Sequence, residues 1–326
     1  MRLSLFLSLA ALGFAQPRIG IIDFYGLHKI PESKVRQALG VREGDALPPS
    51  KGATEERIDA ISGIVESHLE AVCCEGGQMI LYVGIEEKGA PHFELRDAPE
   101  AEIQLPEDIT TTYRRFLAAS QQGQAGEDLT QGHVLSSNPA AREIQEQFTP
   151  VVKEYLGDLR HVLRDSGDEE QRAIAAYVLG YNEDKKAAVD DLQFALKDAD
   201  AGVRLNAVRG LKALAVLAKL KPESGLKVEA TWFIEMLNSL SFTDRQQALG
   251  VLQILTDGKN PSAIEQLRER ALGSLVEMAR WKSLTHALPA YLLLGRVAGL
   301  PDLQVEEAWN KGDREWVIAQ ATKKKK

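Results

Sequence analysis

Only two cysteines occur in the 326-residue chain, and they are adjacent, Cys73 and Cys74 in EAVCCEGG, which leaves room for at most one bridge within the chain. Consecutive residues of a strand point to opposite faces, and a bridge between neighbours demands a strained turn. Two inert thiols in a strand are therefore the expected state, with a vicinal or intermolecular disulfide the alternative in an oxidising compartment. The six histidines, His28, His68, His92, His133, His161 and His286, are scattered singly without ligand spacing, so no metal site is assigned. Neither a Gly-x-Ser-x-Gly elbow nor a phosphate loop is present, and no cofactor is assigned. A basic excess is missing too. The formal net charge of -8 argues against a nucleic-acid partner, which needs a basic face to displace counterions from phosphates, and the closing KKKK reads as a solvated tail. No apolar run approaches the roughly 20 residues that span a bilayer.

What is present suits a soluble, folded protein: 44% of residues are hydrophobic, and the length allows roughly two domains. The opening MRLSLFLSLAALGFAQ has one arginine, a short apolar run and the small residues Gly13 and Ala15, the pattern of a cleaved export signal over residues 1–16. The expected location is outside the cytoplasm, periplasmic or extracellular, with no transmembrane span and with peripheral attachment to a membrane left open.

Residues 18–30, RIGIIDFYGLHKI, read as a strand ending at Gly26, and PESKVRQALG as a helix opened by Pro31 and Glu32 and closed by Gly40. ATEERIDAISGIVESHLEAV carries Ile58, Ile61, Val65 and Leu69 at helical spacing and predicts an amphipathic helix. After a turn, QMILYVGIEE alternates, with Ile80, Tyr82 and Gly84 on one side and Leu81, Val83 and Ile85 on the other. The expected order is strand, helix, helix, strand, strand, an α+β domain over residues 17–97. This order, with FYG, LGVREGD and LYVGIEE, resembles a polypeptide-transport-associated (POTRA) domain. The resemblance implies docking of envelope partners, often by strand addition to a sheet edge, although no second copy and no barrel strands follow. Residues 98–138 read as a linker with one helix, TTTYRRFLAASQQ, followed by a polar loop holding Asp128 and His133, near which nothing completes a nucleophile and base pair.

The second half repeats. Arg172/Ala175/Leu179, Arg204/Ala207/Leu211 and Arg245/Ala248/Leu252 share one register, and Ala287/Ala290/Leu294 is a fainter copy whose Pro289 is expected to kink or shorten its helix. Each copy follows a second amphipathic helix, and the turns carry the capping residues Asp168, Asp200, and Ser241 with Asp244. Two helices per unit at a spacing of roughly 32–45 residues is the signature of an α-solenoid. The run Asp200, Val203, Arg204, Ala207 is similar to HEAT-like repeats. The expected fold is thus an α+β N-terminal domain followed by an all-α HEAT-like solenoid over residues 139–320 and a basic tail at 321–326.

A solenoid presents surface rather than a pocket. The resemblance to HEAT arrays implies a scaffold holding other proteins, although some HEAT-like proteins are chromophore lyases. It also implies that Arg172, Arg204 and Arg245 pair with aspartates of adjacent turns as a ladder; the alternative has them facing a ligand in the groove. Asn206, Arg209 and Lys212 lie on the more polar side of their helix and are further candidates for contact. The reading that follows is a non-enzymatic interaction scaffold of the bacterial cell envelope, binding envelope proteins. An enzyme with a site between linker and solenoid, or a structural subunit of a homo-oligomer, are the alternatives.

Overall fold

The computed structural model describes residues 18–122, 126–258 and 260–323; residues 1–16, expected to be an export signal, and the last three lysines lie outside them. In chain order the first unit comprises β1 (Ile19–Tyr25), α1 (Glu32–Leu39), α2 (Lys51–Asp59), β2 (Ile64–Glu75) and β3 (Gln78–Glu87). The sheet order is β1-β3-β2, with β1 parallel and β2 antiparallel to the central β3. The expected order of elements is present, but the helix expected over 53–72 ends at Asp59. Gly63, at φ +102, takes a backbone conformation that side-chain-bearing residues rarely adopt, and Ile64 and Val65 then enter β2. Leu69, expected on a helix face, lies opposite Val83 in the sheet. Pairing with β3 overrides the helical periodicity, and Val65 is left 56% exposed.

Cys73 and Cys74 do lie on β2, but they form a disulfide rather than the expected free thiols. The register between β2 and β3 slips between Val72 and Glu75, so the alternation that would part the two side chains does not hold there.

Both sheet faces are covered. Leu81, Val83 and Ile85 join Ile19, Ile22, Val35, Leu39 and Ile58 in a small core under α1 and α2. On the opposite face Tyr25, Ile80 and Tyr82 belong to the core of the helical part, so the sheet is a shared layer between two helical bodies.

From Phe93 to Leu105 the chain forms no helix or strand and runs along that helical part. Arg96 lies 3.3 Å from the Phe194 ring centroid, Ala101 bridges to Ser166, and the Leu105 N–H donates to Gln171 Oε1 at 2.9 Å. The stretch read as a linker is thus bonded to the solenoid along its length. Next come α3 (Glu107–Ser120), the two-residue strands β4 (Glu127–Asp128) and β5 (Leu135–Ser136), α4 (Pro139–Glu146), α5 (Phe148–Asp165), α6 (Glu169–Leu179), α7 (Lys185–Ala195) and α8 (Ala201–Leu220). They are followed by α9 (Thr231–Met236), α10 (Phe242–Leu255), α11 (Pro261–Arg270), α12 (Leu272–Ala279), α13 (Leu284–Ala298), α14 (Asp302–Asn310) and α15 (Arg314–Thr322).

Helices α6, α8, α10, α13 and α15 stack in succession, each backed by an outer helix, in a repeat-like arrangement. The shared alanines and leucines, including Ala290 and Leu294 of the faint copy, are fully buried between layers. Asp168, Asp200 and Ser241 cap α6, α8 and α10 through their side-chain oxygens. Helix α13 runs through Pro289 for 15 residues without shortening.

Candidate functional site

The repeated arginines have a repeated geometry. Arg172 Nη1 donates to the carbonyl of Ser166, Arg204 Nη1 to that of Asp198 and Arg245 Nε to that of Ser239, each acceptor six residues earlier in the turn before the arginine's own helix. Each guanidinium then reaches into the next repeat. Arg172 pairs with Asp198 at 2.9 Å and Arg204 with Asp244 at 2.9 Å, with no side chain of either pair more than 5% exposed. At the third rung the partner changes: Arg245 lies 3.7 Å from Glu277, and its guanidinium sits 4.3 Å from the ring centroid of Tyr25 on β1. The N-terminal sheet therefore completes the ladder where the repeat pattern weakens.

Further contacts fix the sheet there. Tyr25 Oη donates to the Leu240 carbonyl at 2.8 Å, Tyr82 stacks on Phe242 at 3.8 Å, and Tyr82 Oη bonds His286 Nδ1 at 2.7 Å. Two carboxylates of the sheet meet the starts of solenoid helices. Glu70 accepts from Ser241 Oγ and from the Thr243 N–H at the first turn of α10, and Asp23 accepts from the Lys282 N–H just before α13. Negative charge at a helix N-terminus is favourable. Gly84 is required by proximity, because a Cβ there would stand 2.4 Å from the Leu240 carbonyl oxygen.

The other candidates of the sequence lie elsewhere. Asn206 donates to the Ala173 carbonyl at 2.8 Å. Arg209 pairs with Glu127 of the hairpin at 2.9 Å and lies 5.1 Å from the Tyr177 ring centroid. Lys212 is half-buried on α8. The six residues do not converge on one site.

A cleft of about 530 Å³ does form where the sheet meets α8 and the turn before α10, and of the six residues Arg204 alone, already paired with Asp244, lines it. Glu66 and Glu86 face each other across β2 and β3 on its sheet wall, and neither has a cation within ion-pair distance among the described residues. Like charges directly opposed across strands are destabilising. Partial burial, then the negative charges of Glu86, Asp59 and Glu55, push the Glu66 carboxyl above its ordinary value. His68 stands between Glu55 and Glu70, at 3.7 and 3.6 Å, while burial and then Lys51 push its pKa down. Phe93, Leu95 and Leu205 line the apolar side, Leu95 and Leu205 being 39% and 40% exposed. Sequence reasoning missed this cleft. The one local signal was the pair of acidic residues, and their opposition appears only once residues 64–75 are paired as a strand.

No protein-family model matches the chain, and no curated protein matches it. Among solved structures, a designed armadillo repeat protein is similar at 16% identity, covering 60% of this chain and 98% of that chain with a TM-score of 0.34. The repeat assignment rests on the chain's own recurring geometry. No helix among the described residues is long and apolar enough to cross a membrane.

Proposed function

We propose that the protein is a non-enzymatic interaction scaffold of the bacterial cell envelope, whose cleft between sheet and solenoid docks an extended segment of a partner protein. The single observation that carries this reading is the cleft wall: two opposed carboxylates without counter-ions, Glu66 and Glu86, beside half-exposed Leu95 and Leu205. A segment with a lysine or arginine flanked by apolar residues would supply both the missing charge and the cover for the apolar rim. Export is supported by the opening apolar run with its single arginine, and a POTRA-like role for residues 17–97 by the order of its elements. Arg172, Arg204 and Arg245 have a structural role in this reading, and Asn206, Arg209 and Lys212 lie outside the docking cleft.

Peptide display against the full chain tests the proposal. Selected sequences should pair a basic residue with apolar neighbours, and Glu66→Lys with Glu86→Lys should weaken their binding by at least about tenfold, about 1.4 kcal/mol. Selection of acidic or purely polar peptides, or binding indifferent to both substitutions in a folded variant, would sink it.

A further inference from the structure

The loop that carries His133 meets a lysine from a distant helix. Lys185 Nζ lies 3.3 Å from His133 Nδ1, and both line a cavity of about 500 Å³ between that loop, the start of α7 and the ends of α4 and α6. Tyr181, at the end of α6, fixes the loop: its Oη donates to the Val134 carbonyl at 2.7 Å and its ring lies 5.4 Å from that of His133. Gln131, Glu146, Thr149 and Glu183 complete the polar wall.

Three features of Lys185 set it apart from a surface lysine. It is half-buried in the cavity. No carboxylate lies within ion-pair distance among the described residues: of the two acids that precede it in the turn, Asp184 accepts from the Lys186 and Ala187 N–H groups instead, and Glu183, exposed at the cavity wall, acts on it only from beyond that distance. It is also the first residue of α7, where the helix dipole disfavours a cation. All three favour the neutral amine. Burial is the main cause of the lowered Lys185 pKa, against an opposing pull from Glu183. Burial and then Lys185 hold His133 at about 4, with Asp128 and Glu146 pulling up and Arg142 down, so its imidazole is neutral at pH 7 and free to accept.

We propose that Lys185 is a carbonyl-reactive amine and that this cavity takes small aldehydes or ketones, which condense with its Nζ to an imine while His133 carries protons. The ammonium first releases a proton to solvent through His133. The nitrogen lone pair then attacks the carbonyl carbon, and the C=O π pair moves onto oxygen. One N–H proton passes by way of the imidazole to that oxygen, giving a carbinolamine. The second N–H proton leaves with the hydroxyl as water, and the C=N bond remains. No oxidant or reductant takes part. An amine without a carboxylate partner, 3.3 Å from an imidazole nitrogen in an open polar cavity, is the arrangement such a condensation needs.

The test uses the full wild-type chain with glycolaldehyde at pH 7 and sodium cyanoborohydride, whose hydride reduces any imine to a stable secondary amine. Peptide mass spectrometry then gives the rate at each lysine. Lys185 should be modified at least about tenfold faster than exposed Lys186, its neighbour on the same helix, a conservative figure beside the roughly 10²–10⁴ that positioned proton transfer contributes. The advantage should vanish in urea. It should also fall in His133→Phe, which keeps a ring against Tyr181 but cannot accept a proton; circular dichroism checks that this variant is folded. Labelling of Lys185 no faster than Lys186 in the native wild type overturns the proposal, and so does an advantage that survives in urea. An unchanged rate in a folded His133→Phe variant removes the assigned role of His133.

Discussion

Removing the second rung of the arginine ladder gives the sharpest test of how the solenoid is held. Arg204 reaches Asp244 through Nε at 3.0 Å and Nη2 at 2.9 Å, and donates from Nη1 to the carbonyls of Asp198 and Ala199 at 2.8 Å each. Arg204→Met leaves Asp244 buried with Ser239 Oγ, at 2.8 Å, as its remaining side-chain donor. Breaking a buried pair on one side costs about 3–5 kcal/mol, because the orphaned charge stays desolvated, whereas replacing both partners by apolar groups is close to neutral. Asp244→Leu should cost a similar amount by stranding the guanidinium. The double variant should then lie within about 1 kcal/mol of wild type, a coupling well above the few tenths expected of independent sites. Guanidinium denaturation followed by far-ultraviolet circular dichroism measures all four proteins. Arg245→Met should cost less, about 1–3 kcal/mol, since Glu277 is 23% exposed and keeps the Gly26 N–H. A loss below about 1 kcal/mol for Arg204→Met, or strictly additive losses in the cycle, would mean that the buried pair does not hold these repeats together.

Two further perturbations address the first unit. Gly84→Ala forces a methyl against the Leu240 carbonyl and Tyr25, so it should destabilise by about 1–3 kcal/mol and speed hydrogen exchange both in β3 and at residues 240–243; unchanged exchange on the solenoid side would mean the two parts are not coupled there. Glu87, 4% exposed, accepts from the N–H groups of His28, Lys29 and Ile30. Burial acts to raise its pKa, but those donors, Ile30 first, outweigh it and hold the carboxyl below the ordinary 4.5. A depressed folded-state pKa stabilises in full above the ordinary value and is lost as pH falls through the folded one. Wild type should therefore exceed Glu87→Gln by about 1–3 kcal/mol at pH 7, with the gap closing as pH falls below the ordinary carboxylate range; urea midpoints giving a pH-independent gap would contradict this.

The repeat was legible in the sequence because its determinants are local. Arginine, alanine and leucine recur at helical spacing, and the caps Asp168, Asp200 and Ser241 lie next to the helices they start. The alternation of β3 was legible for the same reason, and both of its faces proved to be buried. Less visible was everything set by distant pairing. The stretch from Ile64 to Leu69 has helical spacing, yet becomes a strand because Gly63 turns the chain and β3 offers backbone partners. Tyr25 and Tyr82 read as strand residues, with nothing nearby to announce Arg245, Phe242 or His286 as neighbours. Glu66 and Glu86 lie in different strands, and Lys185 and His133 are 52 positions apart, so neither juxtaposition has a sequence motif.

Charge reversal at the cleft tests the docking account most directly. A display-selected peptide carrying one lysine between apolar residues would be titrated by fluorescence anisotropy against wild type and the Glu66→Lys/Glu86→Lys variant, alongside the same peptide with glutamate in place of the lysine. The variant should bind the lysine peptide at least about tenfold more weakly than wild type and gain affinity for the glutamate peptide. Equal affinity of the lysine peptide for both proteins, with the variant folded, would contradict it.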